Sequence, residues 1–191
     1  TKLMPQLPIH SHTHLPGPVL CYKLMTELFK NNLSLSGFFF KLITGMGFNI
    51  QVLKKFVNPE IYYINAAFSM GILYLLALSA SLIPTYLLAK ELFNRQIALF
   101  TVPLWIFVPA TVSFSPQFDQ VYPLISVSAV YFLIKYLNSS KKSYLMLCSL
   151  ILSIGVFFSF AFLLIIVFCV FLYLGNTIQH RLLNRENLKI H

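Results

Sequence analysis

The chain has 191 residues and a formal net charge of +9, yet only 10% of its residues are charged while 58% are hydrophobic and 16% aromatic. An average soluble domain carries roughly 25% charged residues, so 14 Lys and Arg with five acidic residues cannot clothe a water-facing surface. This excludes a soluble enzyme and a disordered chain, and the solvent it implies is a bilayer.

The basic residues punctuate apolar runs instead of forming a stripe interleaved with aromatics, so they read as membrane flanks, with no nucleic-acid partner. Cys21, Cys148 and Cys169 have no CxxC spacing, and two lie in apolar runs where a thiol behaves as a small hydrophobe. Thr1 stands where an initiating Met would, and no basic-then-apolar leader follows; this favours a segment of a longer protein.

Residues 1–60 read as an extracytoplasmic loop with interfacial helices. His10, His12 and His14 alternate and run into Leu15-Pro16-Gly17-Pro18. Three imidazoles facing one way could ligate a metal, but no carboxylate lies nearby, and a polar loop explains them equally. The two prolines restrict φ and disfavour helix before them. Gly17 permits close backbone approach, so the segment reads as a rigid turn delivering a helix that starts at Pro18. That helix has a broad apolar band (Val19, Tyr22, Leu24, Met25, Leu28, Phe29) with Lys23, Glu27 and Lys30 supplying polarity, as an interfacial helix requires. FFFKLITGMGF is a second surface helix or a membrane segment interrupted by Lys41.

Residues 61–175 read as the transmembrane bundle. Four runs lack charge: Ile61–Ala89 (29 residues), Gln96–Phe118 (23), Gln120–Ile134 (15) and Ser143–Gln179 (37). About 20 apolar residues cross the hydrocarbon core. The first two runs qualify directly, and the third does if Lys135 snorkels from the last turn. The fourth is too long for one span. Gly155 and Ser159 offer a turn, giving a hairpin of short helices at about Tyr144–Phe157 and Phe160–Leu174. Pro84, Pro103, Pro109 and Pro123 mark kinks or helix ends.

Charge placement agrees with the hairpin. Lys90 and Arg95 follow the first span, and Lys135, Lys141 and Lys142 follow the third, so both connections belong in the cytoplasm. The hairpin then returns Arg181, Arg185 and Lys189 to that side, making 176–191 a cytoplasmic tail or connecting loop. The expected fold is an all-α polytopic membrane protein with about five transmembrane or half-spanning helices plus N-terminal surface helices.

Asp119 is the sole aspartate and sits in the otherwise uncharged outer loop Ser113–Gln120. It can cap the next helix by accepting the Tyr122 amide, accept a proton from an attacking hydroxyl, or bind substrate. Glu91 precedes Arg95 by four positions, the spacing of a helical ion pair. Lys141 and Lys142 read as topology determinants or contacts to anionic headgroups.

The order of segments resembles the integral-membrane glycosyltransferases that use lipid-phosphate-linked sugars, including protein O-mannosyltransferases and bacterial aminoarabinose transferases. THLPGPVLCYKL is similar to that family's HPPGP-type outer motif leading into a surface helix, with Leu15 replacing the first proline. The stretch from LIPTYLLAKELFNR to SVSAVYFLIKYL resembles its following spans, and the paired helices after Tyr144 its hairpin. The resemblance implies transfer of sugar from a polyprenyl-phosphate donor to a hydroxyl of a sugar, lipid or protein acceptor. That transfer would occur at the outer face of the plasma membrane or endoplasmic reticulum, according to organism. It implies His14, Pro16, Gly17 and Pro18 as near-site elements and Asp119 as a second acidic loop residue. A divalent metal could serve the departing phosphate, although no metal ligands or other cofactor can be named. The family's preceding span and acidic outer loop lie upstream of Thr1, so the principal catalytic carboxylate is unassigned and this chain alone is expected to be inactive. The rival readings are a transporter or channel-like subunit, which would need a pseudo-symmetric second half, and a noncatalytic membrane scaffold.

Overall fold

The computed structural model describes residues 16–47, 60–108 and 116–189, with side chains described through Gln179, Ile106 excepted. These residues form helices and connecting turns, with no strand among them.

Helix α1 (Pro16–Asn31) starts two residues earlier than the sequence suggested. Pro16-Gly17-Pro18 is therefore the helix's own first turn and not a turn before it. Amides in the first turn have no intrahelical acceptor, so proline loses nothing there, and glycine before Pro18 lacks the Cβ that disfavours helix at such positions. Asn32 then caps α2 (Leu33–Gly45), accepting the Leu35 amide at 3.1 Å. Gly47 closes that region at φ +82°.

The first apolar run forms α3 (Ile61–Ala80) and α4 (Leu82–Leu92), which together make a 32-residue candidate span. The interruption at Ser81 follows from Pro84, which has no amide for the Ala80 carbonyl. Ser81 adjusts by donating its amide to both Ala77 and Leu78, while its hydroxyl donates to the Leu78 carbonyl and accepts from Trp105 Nε1.

The second run departs from expectation. Asn94 caps α5 by accepting the Ile97 amide at 2.9 Å, but α5 covers only Arg95–Ile106. Twelve residues rise about 18 Å, too little to cross the core alone. The helix closes on i→i+3 bonds from Phe107 and Val108, because Val108 precedes Pro109 and is disfavoured in the α region. Pro116 and Gln117 are not helical, so Gln96–Phe118 is not one continuous span.

The third run behaves as expected: a 3-10 turn (Phe118–Val121) leads into α6 (Tyr122–Ser139), a 22-residue candidate span. The fourth divides into α7 (Lys142–Phe158) and α8 (Phe162–Lys189), broken at Ser159 as the hairpin reading required. A Cβ on Gly155 would come within 2.5 Å of the Phe162 ring, so the turn needs glycine there. The second arm runs beyond Leu174 to Lys189, and its apolar part, Phe162–Gln179, is the third candidate span.

Ala129 and Leu133 of α6, Cys148 and Leu152 of α7 and Cys169 of α8 form one buried core. A smaller cluster joins Ile43 of α2 to Ile64 of α3. Large side chains such as Leu164 and Phe171 of α8 stay exposed, as lipid-facing positions do. The chain is an integral, multi-pass, all-α membrane protein.

Candidate functional site at one pole of the bundle

Two poles are defined by side chains on opposite ends of α6. At its C-terminal end Lys135 Nζ lies 2.8 Å from Glu91 Oε2 of α4, and Asn138 Nδ2 donates to Glu91 Oε1 at 3.0 Å. This replaces the expected Glu91–Arg95 pair. Helix α4 ends at Leu92, so Glu91 and Arg95 are not one turn apart on a common helix. Lys90, Arg95, Lys141 and Lys142 flank the same ends, making this the basic pole.

The other pole is aromatic. Phe118 packs edge-on against Tyr74 (5.6 Å) and Tyr122 (5.5 Å) and tilted against Phe158 (5.4 Å), while Tyr122 meets Phe162 at 5.4 Å. About 20 Å of helix rise separates Tyr122 from Lys135. Asp119 is exposed in the 3-10 turn beside Phe118. It is not the side-chain cap suggested by the sequence: the Tyr122 amide donates to the Asp119 backbone carbonyl, leaving the carboxylate free of that role. Tyr122 stands three positions after Asp119, and Ser159 follows Phe158, which packs on Phe118, so both belong to this pole.

The start of α1 reaches this same pole. Gly17 is buried, and a Cβ there would lie 2.7 Å from Phe158 Cδ1 and 2.8 Å from the Phe157 carbonyl oxygen. Only a glycine lets the first turn of α1 rest on the C-terminal end of α7. Phe158 thus links Gly17 on one side to Phe118, next to Asp119, on the other. Pro16 is exposed and Pro18 half-buried. His14, with His10 and His12, lies outside the described residues.

The length of the first apolar helix explains where α1 and α2 sit. Thirty-two residues rise about 48 Å, against about 30 Å of hydrocarbon. From Glu91 at the basic pole, about 25 Å of rise leads back to Tyr74, which meets Phe118; Gly71 meets Pro116 nearby. The segment from Ile61 to Met70 projects past the aromatic pole, and the two N-terminal helices pack on it. Tyr22 donates to the Tyr63 carbonyl at 3.3 Å. The wholly buried Asn65 donates from Nδ2 to both Ser36 O and Ser36 Oγ at 2.8 Å. Burial pushes the Cys21 thiol and the Tyr22 hydroxyl up, the latter with help from Tyr63, so both remain protonated at neutral pH.

Of Tyr74, Tyr122 and Ser159, the sequence marks Tyr122, three positions after Asp119, as part of the outer loop, and Ser159 only as a turn residue of the hairpin. Tyr74 carries no sequence signal, and it and Ser159 reach this pole through tertiary packing. Among the described residues no three His, Cys, Asp or Glu side chains gather as a metal site. The exposed carboxylate, the neighbouring phenol and the aromatic walls can bind hydroxyl-rich ligands and accept a proton.

The family model described as dolichyl-phosphate-mannose-protein mannosyltransferase matches residues 61–189, from the start of α3 to the end of α8. Comparison with curated proteins and with solved structures returns no match.

Proposed function

The chain belongs to the dolichyl-phosphate-mannose-protein mannosyltransferase family, and from that premise we propose that it contributes part of the active site of a polyprenyl-phosphate-dependent glycosyltransferase. The reaction joins an acceptor hydroxyl oxygen to the anomeric carbon of the donor sugar. The glycosyl–phosphate bond breaks, the polyprenyl phosphate departs with its electron pair, and the hydroxyl proton passes to a base. A carboxylate at the site raises the nucleophilicity of the hydroxyl, and fixed donors stabilise charge developing on the phosphate.

One observation carries this reading: the first turn of α1 and the Asp119 turn meet around Phe158 and Phe118, at the pole opposite the basic ends. The positive-inside rule assigns the basic pole to the cytoplasm, which leaves the Asp119 pole extracytoplasmic, and α1 and α2 at the membrane surface. Asp119, Pro16, Gly17 and Pro18 are near-site elements in this account, and His14 runs into them along the chain. Asp119 orients or holds a hydroxyl-bearing substrate, with Tyr122 beside it.

The test supplies membranes containing the full-length parent protein with a polyprenyl-phosphate-linked sugar and a hydroxyl acceptor. Transfer that requires the lipid-linked donor is the expected result. Equal transfer from a soluble nucleotide sugar in detergent free of polyprenyl lipid would contradict the donor assignment.

A further inference from the structure

A groove of about 440 Å³ lies between the hairpin arms in the half of the bundle nearer the basic pole, away from Asp119. Leu145, Ser149 and Leu152 of α7 form one wall, and Ile166, Val170 and Tyr173 of α8 the other. The Ser149 hydroxyl donates to the Leu145 carbonyl at 3.0 Å, so it presents no unmet polar group. Leu145, Val170 and Tyr173 remain exposed, which leaves the groove open along its lipid-facing side.

The mouth is cationic. Lys142 opens α7 and precedes Leu145 by three positions and Ser149 by seven, so it stands on the face of α7 that lines the groove, with Lys141 at the N-cap beside it. Both are exposed, and among the described residues neither forms an ion pair, whereas Lys135 is taken by Glu91. From Lys142 to Leu152 the helix rises about 15 Å, half of the roughly 30 Å hydrocarbon core. A charged rim and an apolar slot one leaflet deep match a phosphate joined to a single hydrocarbon chain.

We propose that this groove binds an anionic glycerophospholipid of the basic-side leaflet, with one acyl chain between α7 and α8 and the phosphate at Lys141 and Lys142. A polyprenyl-phosphate donor shares this chemistry, but its phosphate must stand at the Asp119 pole for its sugar to react there. The occupant is therefore a leaflet lipid and not the donor; this choice of occupant rests on the proposed reaction site, whereas the groove and its cationic mouth do not.

The test measures, by native mass spectrometry, the lipid retained by the purified protein from micelles containing phosphatidylglycerol and phosphatidylcholine with identical chains. Each lysine near an anionic lipid contributes roughly a fivefold preference, so Lys141→Gln with Lys142→Gln should reduce the preference for phosphatidylglycerol by about twenty- to thirtyfold. Ser149→Trp fills the groove from one wall and Val170→Trp from the other, so a variant that fails to fold leaves its counterpart to report; either should abolish retention while helical circular dichroism is unchanged. Equal retention of both lipids by the unaltered chain would overturn the proposal, as would wild-type retention by the folded tryptophan variants, which would mean a surface headgroup contact only. Displacement of phosphatidylglycerol by an equimolar polyprenyl phosphate, lost in the tryptophan variants, would assign the groove to the donor lipid and also overturn it.

Discussion

Gly17 and Phe158 touch so closely that the space for a single methyl group between them is already filled: a Cβ on Gly17 would lie 2.7 Å from Phe158 Cδ1. The Phe157 carbonyl oxygen, at 2.8 Å, closes off a sideways escape. Gly17→Ala must push the first turn of α1 off the end of α7, because backbone cannot swing aside as a flexible side chain can. Overpacking of this kind costs about 1–3 kcal/mol. A lowered thermal midpoint in detergent is expected, and an unchanged midpoint would show that α1 does not dock there.

Asn65 and Ser69 lie one turn apart on α3, and both are buried, but they are not equivalent. Asn65 Nδ2 makes two bonds to Ser36, whereas Ser69 Oγ, like Asn65 Oδ1, has no hydrogen-bond partner among the described residues. Asn65→Ala removes both bonds and leaves the buried Ser36 hydroxyl without this donor, at a cost of about 1–3 kcal/mol. Ser69→Ala removes a group that satisfies nothing and should be neutral or slightly stabilising. Equal losses in thermal stability would contradict the assigned pairing.

The Glu91–Lys135 pair holds the end of α4 to the end of α6. Its partners retain 22% and 30% exposure, so water and salt screen them in part. Glu91→Gln should lower thermal stability modestly, with the difference from the unaltered chain shrinking as salt rises. Lys135→Met in the Glu91→Gln background should add less than Lys135→Met alone. Full additivity in that double-mutant cycle would show that the two residues do not interact.

Asp119→Asn keeps the side chain's size and removes its charge. Its carboxylate caps no helix, so membrane abundance should hold while transfer falls by about tenfold or more (~1.4 kcal/mol in the barrier). Measured at matched abundance, an unchanged turnover would remove Asp119 from the site.

Much of this fold was legible because hydrocarbon thickness sets a length scale. The 37-residue run had to fold back, and Gly155 and Ser159 were the residues able to permit it. The run after Arg95 misled because absence of charge does not ensure a helix; Val108 before Pro109 ends it. Glu91 misled for a related reason. Arg95 is its neighbour in sequence, but the break at Phe93 and Asn94 separates them, and the partner that wins comes from a different helix, 44 positions downstream. Gly17 could be read as a point of close approach, but what approaches it could not, because Phe158 lies 141 positions away. The same holds for Tyr74 and Ser159, which reach the Asp119 pole only through packing between helices.

The central claim is that the first turn of α1 and the Asp119 turn face one aqueous compartment while the Glu91–Lys135 pole faces the other. Single cysteines placed at the exposed Pro16, Gln117 and Ser139, in a background with Cys21, Cys148 and Cys169 replaced by alanine, test it in sealed vesicles with a membrane-impermeant maleimide. Pro16→Cys and Gln117→Cys should label from the same side and Ser139→Cys from the other. Labelling of Pro16→Cys and Gln117→Cys from opposite sides would contradict the account.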